Sequence, residues 1–500
     1  MQFLFPPRSS RGAVLGFAWS QIFLVVAGII AAVVGLNLLT VGHRGTGAAA
    51  FAACGLLVTL GLLRLKGRRI TEWAPIIAGA LLQSWSGQNQ YRGGPFGANP
   101  DHLDLPGPAA GYRWLTATAA DGTTQVGLLH HRRERTVTAA LVCYGANFIL
   151  ADRDVQDRRL TDWSLVLQIL GSEYADAGLV RWSLMSRTVP DTGNRAQRYL
   201  INKAVDTSSV AYQSLAELTA AAAPAAQRHE TLLAVVFDVA KLSGEITDAG
   251  GTDAAIAAVV LDRLGGIEAA VTEAGVSTGG WLSPRAYAAL IRTQFDPDDQ
   301  EAVDLRSGAR DAGAPAGVEP RLAGPVAART VGWNTYQHDS AYSRTLWVAQ
   351  MPRQAVTGTW LTPLYTRTTC RRTVTLVAQP VPAALAQLAS RRDKVARAGD
   401  EVTQRKLRLV RTAREDDEAR AVEQIDREQA RGHVRHRYAL LVTVTAKDVK
   451  ALDRDVRAVK RLLSRAGCES VSLAGEQDQG FLAGALPLAR GLKPMRGWSA

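Results

Sequence analysis

Two uncharged apolar runs near the start set the terms for everything that follows. Gly12 to Gly42 is 31 residues without a charged side chain, and Gly45 to Leu63 is 19 more. Only His43 and Arg44 lie between them. A helix needs about 20 apolar residues to cross the hydrocarbon core of a bilayer. The pattern predicts a tight hairpin of two membrane spans over residues 1–69, with the rest of the chain on one side of the membrane. The alternative is a cleaved signal sequence, for which Ala48-Ala49-Ala50 offers small residues. The apolar region of such a signal runs only about 7–15 residues, whereas here a second run with a basic stop follows the first.

The flanking charges predict the orientation. Arg8 and Arg11 precede the first run, and Arg64, Lys66, Arg68 and Arg69 follow the second. The connecting turn carries only Arg44. Basic residues stay on the cytoplasmic face. The expectation is a multi-pass protein of the cytoplasmic membrane with both termini and the large body in the cytoplasm.

The formal net charge of +12 invites a nucleic-acid reading until it is located. Residues 1–69 hold seven Arg or Lys and no Asp or Glu, which leaves +5 for the other 431 residues. The basicity is mostly a membrane signal, and it does not require a nucleic-acid groove. The cysteines, Cys54, Cys143, Cys370 and Cys468, are isolated from one another. That spacing fits reduced thiols rather than a disulfide frame or a metal knot.

After the basic cluster, Trp73, Ile76, Ile77, Ala80, Leu81 and Trp85 recur at helical spacing. Tryptophan favours the membrane–water boundary, so this segment reads as a helix lying on the cytoplasmic face, anchored by Trp73 and Trp85. A core helix of the body would show the same periodicity. Gly87 to Gly111, rich in Gly and Pro, reads as a linker that completes a segment 70–111.

The body reads as α+β. Strands are expected at Arg113–Thr118 and Thr123–Leu129, flanking the turn signal Asp121-Gly122, and at Thr136–Val142. Helical spacing covers Val155–Ile169, and Leu179–Met185 reads as a strand. Arg195–Ala222 reads as one long helix, Leu232–Val239 as a buried strand and Ala254–Glu273 as a helix. Asp296–Pro325, loose and charged, suggests a boundary between one domain over 112–295 and another over 318–500. Strands resume at Arg344–Ala349 and Thr373–Val377, and Ala383–Arg431 is strongly helical. Between Arg391 and Arg437, 14 basic and 10 acidic residues occupy 47 positions, so that helix or helix pair must be solvated. It is either a projecting arm that meets a partner or simply a solvated face. The chain then offers a strand at Tyr438–Thr445, a helix stripe of Val449, Leu452, Val456, Val459 and Leu462, and a strand at Ser470–Leu473. This is a βαβ-like unit.

Catalytic and metal signatures are sparse. No segment matches Gly-x-x-x-x-Gly-Lys-Ser/Thr and none matches His-Glu-x-x-His. His433 and His436 are flanked by Arg435 and Arg437, which disfavour a bound cation. His130 and His131 are neighbours on a strand and so point to opposite faces. Gly275-Val276-Ser277-Thr278-Gly279 fits Gly-x-Ser-x-Gly, but a helix precedes it and a loop is expected after it, the reverse of a nucleophile elbow. Gly275 reads better as the stop of the preceding helix. No enzyme activity, cofactor or metal is expected.

Gln479-Gly480-Phe481-Leu482-Ala483-Gly484-Ala485-Leu486-Pro487-Leu488-Ala489-Arg490-Gly491 resembles the stretch that closes the amino-terminal region of type IV secretion (conjugation) ATPases. The amino end, a Phe-Pro-Pro segment and a hairpin of two spans, resembles the PrgI-like membrane subunit of Gram-positive conjugation systems. Over nearly its whole length the chain resembles an actinobacterial family of integral membrane proteins from mobile elements, with Glu72-Trp73-Ala74-Pro75 and Trp347 to Pro352 fitting that family. The absent phosphate loop departs from the ATPases.

The resemblance implies a non-catalytic scaffold subunit of a conjugation-type secretion channel, the motor being supplied as a separate chain. Its partners would be the lipid bilayer, other membrane channel subunits and that ATPase, with nucleic acid entering only as transported substrate. Phe481, Leu486, Pro487, Leu488 and Arg490 would then form the docking surface for the ATPase, unless the apolar ones pack onto the final strand. An EccE-like subunit of type VII secretion and a membrane-tethered enzyme are the alternatives.

Overall fold

The computed structural model describes residue 5 and residues 19–65, 68–87, 89–93, 102–119, 121–145, 148–190, 194–222, 226–308, 316–388, 390–391 and 430–492, with a few positions between 420 and 428. Arg8, Arg11, Lys66 and most of the charged segment 383–431 lie outside the described residues. The described residues fall into two compact units, one within Pro6–Asn89 and Ala384–Ala430, the other within Met1–Phe5, Gln90–Ala383 and Arg431–Ala500.

The first unit contains α1 (Trp19–Thr40) and α2 (Arg44–Leu62), joined by a tight turn. Both are long and apolar enough to cross a membrane. Where they meet, glycines let the backbones approach. A Cβ on Gly47 would sit 2.6 Å from Leu39 Cγ, and one on Gly35 would sit 3.1 Å from Ala50 Cβ. Gln21, buried between the helices, donates from Nε2 to the Gly61 carbonyl at 2.7 Å. The large apolar side chains point the other way: Phe23 is 74% exposed, Val33 63% and Leu56 61%. The short strands β1 (Arg64–Leu65) and β2 (Arg68–Arg69) pair antiparallel. They lead into α3 (Ile70–Trp85), on which Ile77, Leu81, Leu82 and Trp85 are exposed.

The second unit is built on one antiparallel sheet. In chain order its first part comprises β3 (Gln90–Arg92), β4 (His102–Leu103), β5 (Tyr112–Thr118), β6 (Gln125–His131), β7 (Thr136–Tyr144), α4 (Arg153–Gly171), α5 (Glu173–Asp176), β8 (Leu179–Pro190), α6 (Asn194–Lys203) and α7 (Val210–Ala222). Next come β9 (Gln227–Asp238), α8 (Ser243–Asp248), α9 (Asp253–Glu273), β10 (Ser277–Trp281), α10 (Pro284–Phe295) and α11 (Asp299–Gly308). The rest is β11 (Ala327–Val331), β12 (Thr335–His338), β13 (Ala341–Gln350), α12 (Thr362–Thr366), β14 (Arg371–Pro380), β15 (His436–Ala446), α13 (Val449–Arg465), β16 (Glu469–Ser472) and α14 (Gln477–Gly484).

Among the described residues the sheet order is β3-β11-β12-β13-β15-β14-β8-β9-β7-β6-β5-β4, with β10 on β7 and β16 on β13, 14 strands in all. The strands of 318–500 form one block of this sheet and those of 112–295 another, and the two blocks join where β14 lies directly against β8. The closing βαβ-like unit is split, since β15 and β16 both pair with β13.

Period-two alternation sends successive side chains to opposite faces. On one face Leu128, Val235 and Phe237 pack under α4 and α9, while Val374, Leu440 and Val442 pack under the Leu452–Val456–Val459–Leu463 stripe of α13. On the other face Leu129, Ala140 and Ala234 pack under α10 and α14.

Several expectations need correction. The linker 87–111 contains β3, β4 and a short 3-10 turn at Gly107–Ala109. The single helix over 195–222 is two helices. Asp206 Oδ1 accepts hydrogen bonds from Ser208 N at 2.8 Å and Ser208 Oγ at 2.6 Å, closing a turn, and Ser209 Oγ then accepts from Tyr212 N as the next helix starts. The loose segment 296–325 includes α11, bound to α10 through the Arg292–Asp299 ion pair. Ser277 is followed by a strand rather than a loop.

Candidate functional site

Within the segment Gln479 to Gly491, Gly480 to Ala489 are buried. Phe481, Leu486 and Leu488 are fully buried in the core shared with α10, and Pro487 is buried with them. The sheet beneath α14 explains how an apolar segment comes to be held by polar groups. Thr373, Thr375, Thr443 and Thr345 alternate along their strands and are all buried. Thr375 Oγ1 donates to the Gly484 carbonyl at 2.8 Å. Gln294 Nε2 donates to the Ala485 carbonyl at 2.7 Å and to Thr373 Oγ1 at 3.1 Å. Tyr287 donates its phenolic hydrogen to the Pro487 carbonyl at 2.5 Å. Gly480 and Gly484 are needed because the helix lies so close to the sheet: a Cβ on Gly484 would sit 2.5 Å from Thr443 Oγ1.

Arg490 ends the segment inside the body. It donates to the Tyr112 hydroxyl at 3.1 Å and to Glu134 Oε1 at 2.5 Å, and Arg181 takes the other carboxylate oxygen at 3.0 Å. Burial works against the Glu134 charge, yet Arg490 and Arg181 hold its carboxyl below the usual range. Burial therefore overturns the expectation that Phe481, Leu486, Pro487, Leu488 and Arg490 form a docking surface. Their side chains are committed to the fold.

The same face carries a buried serine–histidine pair that sequence spacing did not reveal. His338 Nδ1 lies 2.5 Å from the Phe295 carbonyl, which assigns the hydrogen to Nδ1. Nε2 then accepts from Ser343 Oγ at 2.7 Å, and Ser343 lies 2.7 Å from Thr445 Oγ1. Burial pulls the His338 pKa down to about 4, so the ring is neutral. The arrangement has the contact of a nucleophile and its base, but both side chains are fully buried. As folded, it is a closed polar chain.

A cleft of about 640 Å³ opens where the ends of β8, β14 and β15 meet α11 and the first turn of α13. Its charges largely pair with one another: Arg228 with Asp304 at 3.0 Å, Lys447 with Asp298 at 2.6 Å and Arg454 with Asp455 at 3.0 Å. On its floor Arg371 donates to the Thr293 carbonyl at 3.0 Å, and burial, then the neighbouring Arg187, pull its pKa down to about 9. Behind it Arg187, 2% exposed, is held by Glu230, Thr293 and Gln300. This mixed, mutually neutralised lining suits a polar ligand or peptide edge and singles out no one charge.

The remaining residues of interest lie apart. Ser277 is exposed at the start of β10 opposite Tyr144, and Gly275 takes a left-handed φ of +75° after α9. His130 meets Arg113 at 3.1 Å, while His131 faces the Ala110 carbonyl at 3.2 Å. All four cysteines are free. Among the described residues no group of three or more His, Cys, Asp or Glu is placed to hold a metal ion. The backbones of Arg64, Arg68 and Arg69 follow directly on α2.

No protein-family model matches the chain, and none of the curated proteins matches it.

Proposed function

We propose that this chain is a non-catalytic scaffold subunit of a conjugation-type (type IV) secretion channel, anchored in the cytoplasmic membrane by α1 and α2 with both termini in the cytoplasm. The observation that carries the anchor is the inverted polarity of the α1–α2 hairpin. Small residues and the Gln21 amide lie between the helices, and Phe23, Ile30, Val33 and Leu56 face outward. Helices packed in lipid use small residues and occasional polar contacts at their interface, because lipid offers no hydrophobic drive to bring them together. Water would penalise the same outward face.

The orientation rests on Arg8, Arg11, Arg64, Lys66, Arg68 and Arg69, set against Arg44 alone in the turn. The exposed apolar residues of α3, with Trp73 and Trp85 near its two ends, suit the membrane–water boundary. A separate secretion ATPase and other channel subunits are the expected partners, through surfaces other than the buried 481–490 segment. Nucleic acid would be cargo.

In-frame deletion in a host that carries the chain's own mobile element tests the reading. Transfer should stop, return with the full chain, and fail to return with a chain lacking residues 19–62. Transfer that continues at the same frequency after the deletion would contradict the assignment.

A further inference from the structure

The α6–α7 pair, inserted between the adjacent strands β8 and β9, leaves apolar surface that none of the described residues covers. Tyr199 and Ile201 on α6, Val205 in the turn, and Val210, Leu215 and Leu218 on α7 are each about half exposed or more, and no residue of α7 is buried. Ala211, Leu215, Leu218 and Ala222 follow one another at spacings of four, three and four, so they form one exposed stripe. Helices of 10 and 13 residues are too short to be stable in water without an apolar partner.

The chemistry of α6 indicates which partner. Its sequence holds Arg195, Arg198 and Lys203 and no acidic residue, with Tyr199, Leu200 and Ile201 among them. Basic residues interleaved with an aromatic and aliphatic face mark helices that lie on anionic lipid. A tethered chain binds lipid through a modest surface, because the anchor supplies a high effective concentration of bilayer. The connection is short: four residues separate Trp85, the end of α3, from Gln90, the start of β3.

We infer that α6 and α7 form a second, peripheral membrane contact that rests on the anionic cytoplasmic leaflet, and this rests on the membrane reading of α1 and α2. A nitroxide tests it in the full chain reconstituted into bilayer discs with and without phosphatidylglycerol. The background carries Cys54→Ala, the other three cysteines being buried. Collision with oxygen, which concentrates in lipid, is compared with collision with a water-soluble nickel chelate. Leu218→Cys should show an oxygen-to-nickel ratio roughly threefold above that of the exposed Glu273→Cys. The excess should grow with phosphatidylglycerol and be lost when Arg195, Arg198 and Lys203 are changed to Glu. A label at Ile30→Cys reports on the anchor. If position 30 is lipid-exposed and 218 matches 273, the peripheral contact is wrong and the anchor stands. If labels at 218 broaden one another, a second copy covers the stripe and the inference is overturned. If position 30 is itself water-exposed, the anchor fails and this inference fails with it.

Discussion

The Gln477 side-chain amide pairs with the main chain of Thr345 as a neighbouring strand would. Its Oε1 accepts from Thr345 N at 2.8 Å, and its Nε2 donates to Thr345 O at 3.3 Å. Both groups are buried, at the point on β13 where β12 has ended and β16 begins. One side chain thus completes the edge of a central strand and fixes the start of α14.

Gln477→Leu should therefore cost more than its change in volume suggests. It leaves a buried N–H and a weakened carbonyl, for which about 1–3 kcal/mol is expected. Thermal unfolding of the full chain in detergent should shift down by several degrees. An unchanged midpoint would show that water replaces the amide.

Gly484→Ala should destabilise by about 1–3 kcal/mol, because the new methyl group meets Thr443 and Thr345 in a closed space. Gly244→Ala is the comparison, since a Cβ there meets nothing within 4 Å. The two variants should separate clearly in chemical denaturation. Equal midpoints would contradict the tight seating of α14.

Acid should weaken the body in a definable window. His338 is buried and neutral, with its pKa down at about 4 against 6.5 for a free ring. A depressed folded-state pKa means that the unfolded chain takes up the proton first as pH falls. The stabilisation is intact above pH 6.5 and disappears between 6.5 and 4, a loss of order 3 kcal/mol at most. His130, likewise held at about 4 by burial and then by Arg113, acts in the same direction. Urea midpoints measured from pH 7 to pH 4 should fall, and His338→Gln should flatten the slope.

The elements that can be read directly from the residues are those whose local chemistry and tertiary role agree. Asp121-Gly122 makes the β5–β6 turn because Asp121 Oδ1 accepts from Thr123 N and Thr124 N while Gly122 takes a φ of +68°. Leu452, Val456, Val459 and Leu462 of the α13 stripe are buried as their spacing requires, while Val449, at the helix start, is exposed. Strands β3, β4, β11 and β12, of two to five residues, are too short to show alternation, and β3 forms only by pairing with the distant β11. The candidate site was misread for a related reason. Alternating threonines on β14 and β15 look like a solvent face, yet they are buried, and Thr375 hydrogen-bonds to the Gly484 carbonyl of α14. The glycine spacing in Gly480 to Gly484 was the available sign of close helix–sheet packing. His338 and Ser343 meet only through the β12–β13 hairpin.

The central claim is the membrane hairpin with its body in the cytoplasm. A reporter that is active only outside the cytoplasm tests it most directly, inserted at Arg44 in one fusion and joined after Ala500 in another. The account predicts activity at Arg44 and none after Ala500. Activity after Ala500 with silence at Arg44 would contradict it.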